Sequence, residues 1–362
     1  GTEIGISGLR GVLAADLSCR ALNTRGRLPN VLTPADRQRT TSWLAPFGAV
    51  LLGLAQLACQ PITTETGRIT VASAGKISSL DPAQASTVNT IQLLSALGDP
   101  LYSLDGNGEL IPRLAEASPI VSPDGLTVTI PLRRDVLFHD GTRFDAEAMA
   151  FSLRRFLEIG TLSYVVGGRI RSVEVAADHQ LVLRLSRPST SLEGLLTSVN
   201  LTPVSPTAYA QHRDGFLHDR FVGTGPYRLT DFSEHQQRLE PFEQYWGEPP
   251  ANPGLDLITL SNSTALYGAL RSGEVDVLLS PSIDEDQRHA LHEKAQEGQL
   301  REAIGPATEI GYITLLSNVA PLKDPRLRQA LALSINRQEI SERVSYGLRR
   351  PLRSLVPPSI SG

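Results

Sequence analysis

The chain has 362 residues, 41% of them hydrophobic, with 30 glycines and 25 prolines spread along its length. Such a chain can bury a large core, and we expect it to form two or more lobes instead of staying disordered. Its 34 basic and 38 acidic residues leave a formal net charge of −4, which excludes the strong positive field typical of nucleic-acid-binding proteins.

The first element in chain order is a predicted export signal. An apolar run, WLAPFGAVLLGLAQLA, occupies residues 43–58, with Arg37 and Arg39 before it and Cys59 after it. A basic segment, a short apolar segment and a small residue at the cleavage point are the layout of a secretory signal peptide, here residues 37–58. The alternative is a buried hydrophobic helix, which would lack a capping residue.

The end of this run resembles a lipobox, in which the cysteine is lipidated and becomes the first mature residue. Ala58 stands directly before Cys59, whereas Gln56 departs from the usual aliphatic residue. We therefore predict export, with Cys59 as the candidate lipid-anchor site. Residues 59–67 are expected to be a linker, and residues 1–36 an upstream extension, since no methionine precedes Met149.

After Gly67 the pattern is mixed α and β. The run RITVASAG at 68–75 predicts a strand, and SLDP at 79–82 predicts a turn before an apolar helix around 90–97. LYSLDGNGEL at 101–110 predicts a hairpin, because its turn residues tolerate positive φ. LTVTIPLR at 126–133 alternates apolar and polar side chains, which predicts a strand with one buried face.

A helix with clear boundary signals follows. Asp145 stands at the N-cap position, Glu147 falls in the first turn, where the helix dipole favours a negative charge, and Gly160 is a suitable stop. Further predicted elements are strands at 181–185, 255–260 and 276–279, a helix that ends near Gly273, and two last helices that begin at Asp324 and Asn336 and end by Gly347.

No sequence motif indicates an enzyme. Both cysteines, Cys19 and Cys59, lie upstream of the region predicted to fold, and neither G-x-S-x-G nor H-E-x-x-H occurs. His289 and His292 have a helical spacing that could hold a metal, but their polar surroundings favour a solvated helix face. His139 belongs to FHDGT, which we interpret as a structural turn between a strand and a helix.

Seven segments carry a family resemblance. In chain order they are SLDP (79–82), GELIPRLAEAS (108–118), DGLTVTIPLRRDVLFHDGTRFDAEAMAFSLRR (124–155), GTGPYRL (223–229), LEPFEQYWG (239–247), LRSGEVDVLL (270–279) and PLKDPRLRQALALSINRQEI (321–340). Together they span about 68–362. They are similar to the extracytoplasmic solute-binding proteins of ABC importers, family 5, which bind oligopeptides, dipeptides and nickel.

The resemblance implies an α/β, two-lobed periplasmic-binding-protein fold (type II, cluster C-like) with an inserted smaller domain. Lobe I would comprise residues 68–100 and 201–305, the insertion 101–200, and a partial lobe II 306–362. The C-terminal lobe would be incomplete, so that the chain is a fragment. Such a protein closes on its ligand like a clamp, and its closed surface signals to a membrane permease.

The resemblance also implies ligand contacts from Lys76, Ile77 and Ser78, from the turn Gly223, Thr224 and Gly225, and from Tyr164 in the insertion. It implies a periplasmic or cell-surface monomer that needs no cofactor and has a peptide or other small solute and a permease as partners. Three alternatives stay open. The same fold could bind a nickel chelate, haem or oligosaccharide, it could serve as a sensor or chaperone, or the chain could be a secreted hydrolase.

Overall fold

The computed structural model describes residues 67–77, 79–105, 109–212, 220–279, 283–304 and 310–355. The predicted extension, the signal peptide, Cys59, nearly all of the linker and Ser78 lie outside the described residues. The predictions made for them therefore stay predictions.

The described part of the chain is mixed α/β, as predicted. Its strands are β1 (Ile69–Ser73), β2 (Tyr102–Leu104), β3 (Leu110–Pro112), β4 (Ile120–Val121), β5 (Thr127–Pro131), β6 (Ile170–Ala177), β7 (Gln180–Leu185), β8 (Tyr227–Phe232), β9 (Gln236–Pro241), β10 (Leu255–Thr259) and β11 (Val277–Leu278). Its α-helices are α1 (Val88–Leu97), α2 (Ala146–Ile159), α3 (Ser163–Gly167), α4 (Leu192–Leu195), α5 (Pro206–Tyr209), α6 (Ser263–Ser272), α7 (Glu285–Gln296), α8 (Pro325–Ser334) and α9 (Arg337–Ser345).

One sheet has five strands in the order β11-β1-β10-β9-β8. β1 lies parallel to both β10 and β11, whereas β9 pairs antiparallel with β10 and with β8. Apolar residues of β1, β9 and β10 pack with α1 in one core, which includes Leu93, Leu97 and Leu257. A second, smaller core joins Ala72 of β1 to Leu266 of α6. Helices thus pack against the parallel strands, as such strands require.

The other large sheet is antiparallel, with four strands in the order β4-β5-β7-β6. Val128 and Ile130 of β5 are buried, so the predicted alternation of this strand is confirmed. The core formed here also includes Met149, Leu153 and Phe156, which lie along one face of α2. The remaining strands, β2 and β3, form the predicted hairpin.

The predicted helix ends are confirmed. The carboxylate of Asp145 accepts a hydrogen bond from the amide of Ala148 at 2.8 Å, which satisfies a free N–H of the first turn of α2. Asn336 accepts in the same way from the amide of Glu339 at 3.1 Å. Gly273 ends α6 with φ at 76°, a left-handed conformation that glycine adopts without a steric penalty.

The segment from 310 to 355 differs from the rest in its packing. Helix α8 has no buried residue, and α9 buries only Ser341 and Ser345. Several large apolar side chains of this segment are exposed, among them Tyr312, Ile313 and Leu333. No helix among the described residues is both long enough and apolar enough to span a membrane.

Candidate functional site

The carboxyl ends of β1 and β10 lie side by side, because these strands are parallel. The turn between β8 and β9 reaches the same edge, since the amide of Thr259 donates to the carbonyl of His235 at 2.8 Å. We call this surface the carboxyl edge and define it as residues 74–77, 233–235 and 260–262. Open α/β sheets bind ligands outside the carboxyl ends of their strands, so this edge is the candidate site.

One ion pair joins the two loops of the carboxyl edge. The ammonium of Lys76 lies 3.1 Å from a carboxylate oxygen of Glu234, and 60% and 67% of the two side chains are exposed. The hydrogen bond from Lys76, and then its charge, lower the pKa of Glu234 below its ordinary value. Glu234 is therefore a carboxylate at neutral pH, and both side chains of the pair are open to a ligand.

The residues on either side of Lys76 contact the five-stranded sheet and its core. The side chain of Ile77 is buried in the core below the five-stranded sheet. The Thr259 hydroxyl donates to the carbonyl of Gly75 at 3.4 Å. Because the residues on both sides of Lys76 contact the sheet, its side chain extends from this loop into solvent. Of the two predicted neighbours, Ile77 can offer a ligand only its backbone, and Ser78 lies outside the described residues.

The predicted turn Gly223-Thr224-Gly225 packs against the end of α1. The amide of Gly225 donates to the carbonyl of Leu97 at 2.9 Å. A Cβ on Gly225 would lie only 2.4 Å from the Leu97 carbonyl carbon, so no other residue fits there without a shift. Thr224 is fully buried. This packing gives the turn a structural role, and its predicted contact with ligand stays a prediction.

Thr224 belongs to a buried polar cluster around Asp99, which the sequence analysis missed. The carboxylate of Asp99 is fully buried and accepts hydrogen bonds from Tyr245 at 3.2 Å and from the indole of Trp246 at 3.1 Å. It also accepts from Thr224 and pairs with Arg113 at 3.3 Å. Tyr245 and Trp246 of the LEPFEQYWG segment are half-buried, and their hydroxyl and indole N–H groups are the donors to this carboxylate.

His139 also binds the turn Gly223-Thr224-Gly225. Its backbone amide donates to the carbonyl of Gly223 at 2.9 Å, and its Nε2–H donates to the carbonyl of Gly225 at 3.1 Å. The imidazole packs edge-on against Phe242, with ring centroids 5.0 Å apart. Burial lowers its pKa from 6.5 to about 4, so the ring is neutral at pH 7. This geometry agrees with the structural interpretation of FHDGT.

The buried imidazole predicts an acid-sensitive fold. Between pH 6.5 and about 4 the unfolded chain takes up a proton at His139 that the folded chain does not. The contribution of the neutral ring to the free energy of unfolding is therefore fully present above pH 6.5. It is lost as the pH falls toward 4, and the loss amounts to about 3 kcal/mol. Urea unfolding across this range should show a flatter pH dependence in His139→Gln than in the wild type. The exposed-histidine control His235→Gln should keep the wild-type slope.

Tyr164 is not brought to the carboxyl edge by any described contact. It lies on the short helix α3, with 77% of its surface exposed, in the part of the chain built on the four-stranded sheet. His289 and His292 lie on α7, as their spacing predicted. The ring of His289 stacks on Tyr346 at 4.1 Å, and His292 bonds Glu302 at 2.6 Å. Among the described residues, no three potential metal ligands cluster together.

Comparisons with known proteins show which family the chain matches. Residues 109–362 match the model described as bacterial extracellular solute-binding proteins, family 5 Middle. The glutathione-binding protein GsiB of Escherichia coli O1:K1 / APEC is 28% identical over 321 residues, which covers 87% of this chain and 61% of that protein. This chain thus spans less than two thirds of the length of that relative.

Two solved structures are similar in fold. The dipeptide binding protein of Pseudoalteromonas sp. SM9913 in complex with Met-Leu has a TM-score of 0.70 and 24% identity, over 80% of this chain and 61% of that one. NikA of Brucella suis in complex with Fe(III)-EDTA has a TM-score of 0.69 and 22% identity, over 81% and 59%. These likenesses confirm the two-lobed periplasmic-binding-protein fold.

Proposed function

Because the chain belongs to the bacterial extracellular solute-binding proteins of family 5, we propose that it captures peptides outside the cytoplasm and delivers them to the membrane permease of an ABC importer. The observation that carries the proposal is the carboxyl edge, where two loops present an exposed charged pair at the ends of parallel strands. This is the place at which α/β sheets bind ligands. The role is binding and not catalysis.

The proposal includes a division of the chain into lobes. Lobe I comprises 68–100 and 201–305, and all five strands of the larger sheet fall within these ranges. The insertion comprises 101–200, which holds the four-stranded sheet and the hairpin, and residues from 306 onward belong to lobe II. The ligand would lie on the carboxyl edge, with Lys76, Ile77 and Ser78 as its contacts from lobe I.

The remaining parts of the proposal concern location and assembly. Export by the segment 37–58 would place the protein in the periplasm or at the cell surface, with Cys59 as its lipid anchor. We propose a monomer, with the permease as its protein partner. A relative that binds glutathione and a structure with bound dipeptide both support a peptide-type ligand, whereas the NikA complex supports a metal chelate as the second candidate.

A thermal-shift screen of the full chain tests the proposed ligand class. The ligands are a dipeptide and tetrapeptide panel, a nickel–histidine chelate and an oligosaccharide mixture. A ligand that binds only the folded state stabilises it by about 2.7 kcal/mol at a hundred times its dissociation constant, so a peptide should raise the midpoint by several degrees. If the chelate or the sugars shift the midpoint and no peptide does, the peptide assignment is wrong and only the fold remains.

A further inference from the structure

The ion pair on the carboxyl edge bears on what kind of ligand the site accepts. Lys76 and Glu234 come from two different loops that are each tied to the end of β10, through the bonds from Thr259 to Gly75 and to His235. The two loops thus bring the charged groups to within 3.1 Å of each other. A ligand that reaches this edge meets a positive charge directly beside a negative charge.

A ligand with a single charge would gain little here. An anion that approached Lys76 would also lie beside the carboxylate of Glu234 and would be repelled by it, and a cation that approached Glu234 would be repelled by Lys76. Each repulsion becomes stronger as closure of the site excludes water, because the local dielectric constant falls. The pair thus disfavours isolated charges of either sign.

A ligand with opposite charges on neighbouring atoms avoids this repulsion. Its carboxylate accepts from Lys76, whose ammonium has three N–H donors, and its ammonium donates to Glu234. One internal ion pair is replaced by two charge-assisted pairs, with no change in the net charge of the site. An α-amino-carboxylate head has this form, since both of its charged groups are attached to the same carbon atom.

We propose that Lys76 and Glu234 together bind an intact α-amino-carboxylate head, which makes them specificity-determining residues. This inference rests on the proposed function. Peptide-type ligands that retain such a head, for example those linked through a side-chain carboxyl, fit the pair. Ordinary linear peptides carry their ammonium and carboxylate at opposite ends and fit it less well.

A pair of isomers tests the inference directly. γ-Glutamyl-alanine retains the α-amino-carboxylate head, whereas α-glutamyl-alanine has the same composition and net charge without it. Titration calorimetry of the full chain should show the γ isomer binding about tenfold more tightly. Lys76→Gln and Glu234→Gln should each bring the two affinities to within about twofold of each other.

A matched control pair lies on the hairpin of β8 and β9, whose turn contains Glu234. Arg228 and Glu240 form an exposed pair 3.4 Å apart between β8 and β9, away from the β8–β9 turn. Arg228→Gln should preserve the preference for the γ isomer. A preference that persists in Lys76→Gln and Glu234→Gln, or equal affinities in the wild type, would overturn the inference.

The same titrations separate the inference from the proposed function. If a linear dipeptide panel binds and the γ isomer does not, the inference fails while capture of peptides stands. If neither isomer nor any panel peptide binds, the proposed function fails and the inference fails with it.

Discussion

Replacing Asp81 by alanine is expected to lower the free energy of unfolding by about 3–5 kcal/mol. Asp81 is fully buried and pairs with Arg155 of α2, whose side chain is 3% exposed, through two hydrogen bonds of 2.9 and 2.5 Å. The variant would leave the guanidinium in the interior without its carboxylate. It would also remove the acceptor for the amide of Ala83 at 2.9 Å.

The ion pair between Asp81 and Arg155 joins two parts of the described chain. Asp81 belongs to the loop that follows β1, and Arg155 belongs to the helix that packs on the four-stranded sheet. Asn200 supports the same loop by donating to the carbonyls of Pro82 and Ala85 at 2.8 Å each. We therefore expect the unfolding transition of Asp81→Ala, followed in urea by circular dichroism, to shift to lower denaturant concentrations than that of the wild type.

The control is the exposed pair between Arg184 and Glu174 on the four-stranded sheet, where about half of each side chain is accessible. Glu174→Gln should leave the free energy of unfolding nearly unchanged, because water already solvates both charges. The double variant Asp81→Leu/Arg155→Leu should be more stable than Asp81→Ala, since it leaves no unpaired charge. Equal losses of unfolding free energy in Asp81→Ala and Glu174→Gln would contradict the stabilising role of the Asp81–Arg155 pair.

Gly225→Ala is expected to cost about 3 kcal/mol. The added methyl would lie 2.4 Å from the carbonyl carbon of Leu97 and 2.5 Å from the amide nitrogen of Gly98. Both atoms are backbone, so neither can move aside by changing a rotamer. The turn would have to separate from the end of α1, which would also disturb the bond from His139 to the Gly225 carbonyl.

Gly268→Ala is the matched control for this substitution. Gly268 lies in the interior of α6, and a Cβ placed there meets no atom within 4 Å. Alanine should therefore stabilise the protein by about 0.5–1 kcal/mol through its higher helix propensity. Differential scanning calorimetry of both variants should give shifts of opposite sign. A stabilising or neutral Gly225→Ala would show that the close approach is not required.

The sequence predicted the elements whose signals are local. β5 was recognised because its alternation is regular, and α2 because Asp145 and Glu147 mark its start. β8 and β9 were not predicted. β8 is interrupted by a register shift between Leu229 and Asp231, and β9 buries a glutamine, Gln237, whose amide donates to the carbonyl of Ser233 at 2.6 Å. A bulge and a buried polar side chain both break the period of two.

The site was predictable only in part. Lys76 was identified through the family resemblance, but its partner Glu234 lies 158 positions away, and no local pattern connects the two. Asp99 was missed for the same reason, because its donors Thr224, Tyr245 and Trp246 come from distant parts of the chain. Tertiary pairing of this kind becomes visible only once the strands are placed.

The central claim is that a peptide-type ligand binds at the carboxyl edge beside Lys76. The sequence has three lysines, Lys76, Lys294 and Lys323, so reductive ¹³C-dimethylation adds only three side-chain signals to that of the amino terminus. With Lys76→Arg for assignment, NMR titration with a peptide from the thermal-shift screen should move the Lys76 signal and leave the other two lysine signals in place. A peptide that binds without moving the Lys76 signal would contradict the claim.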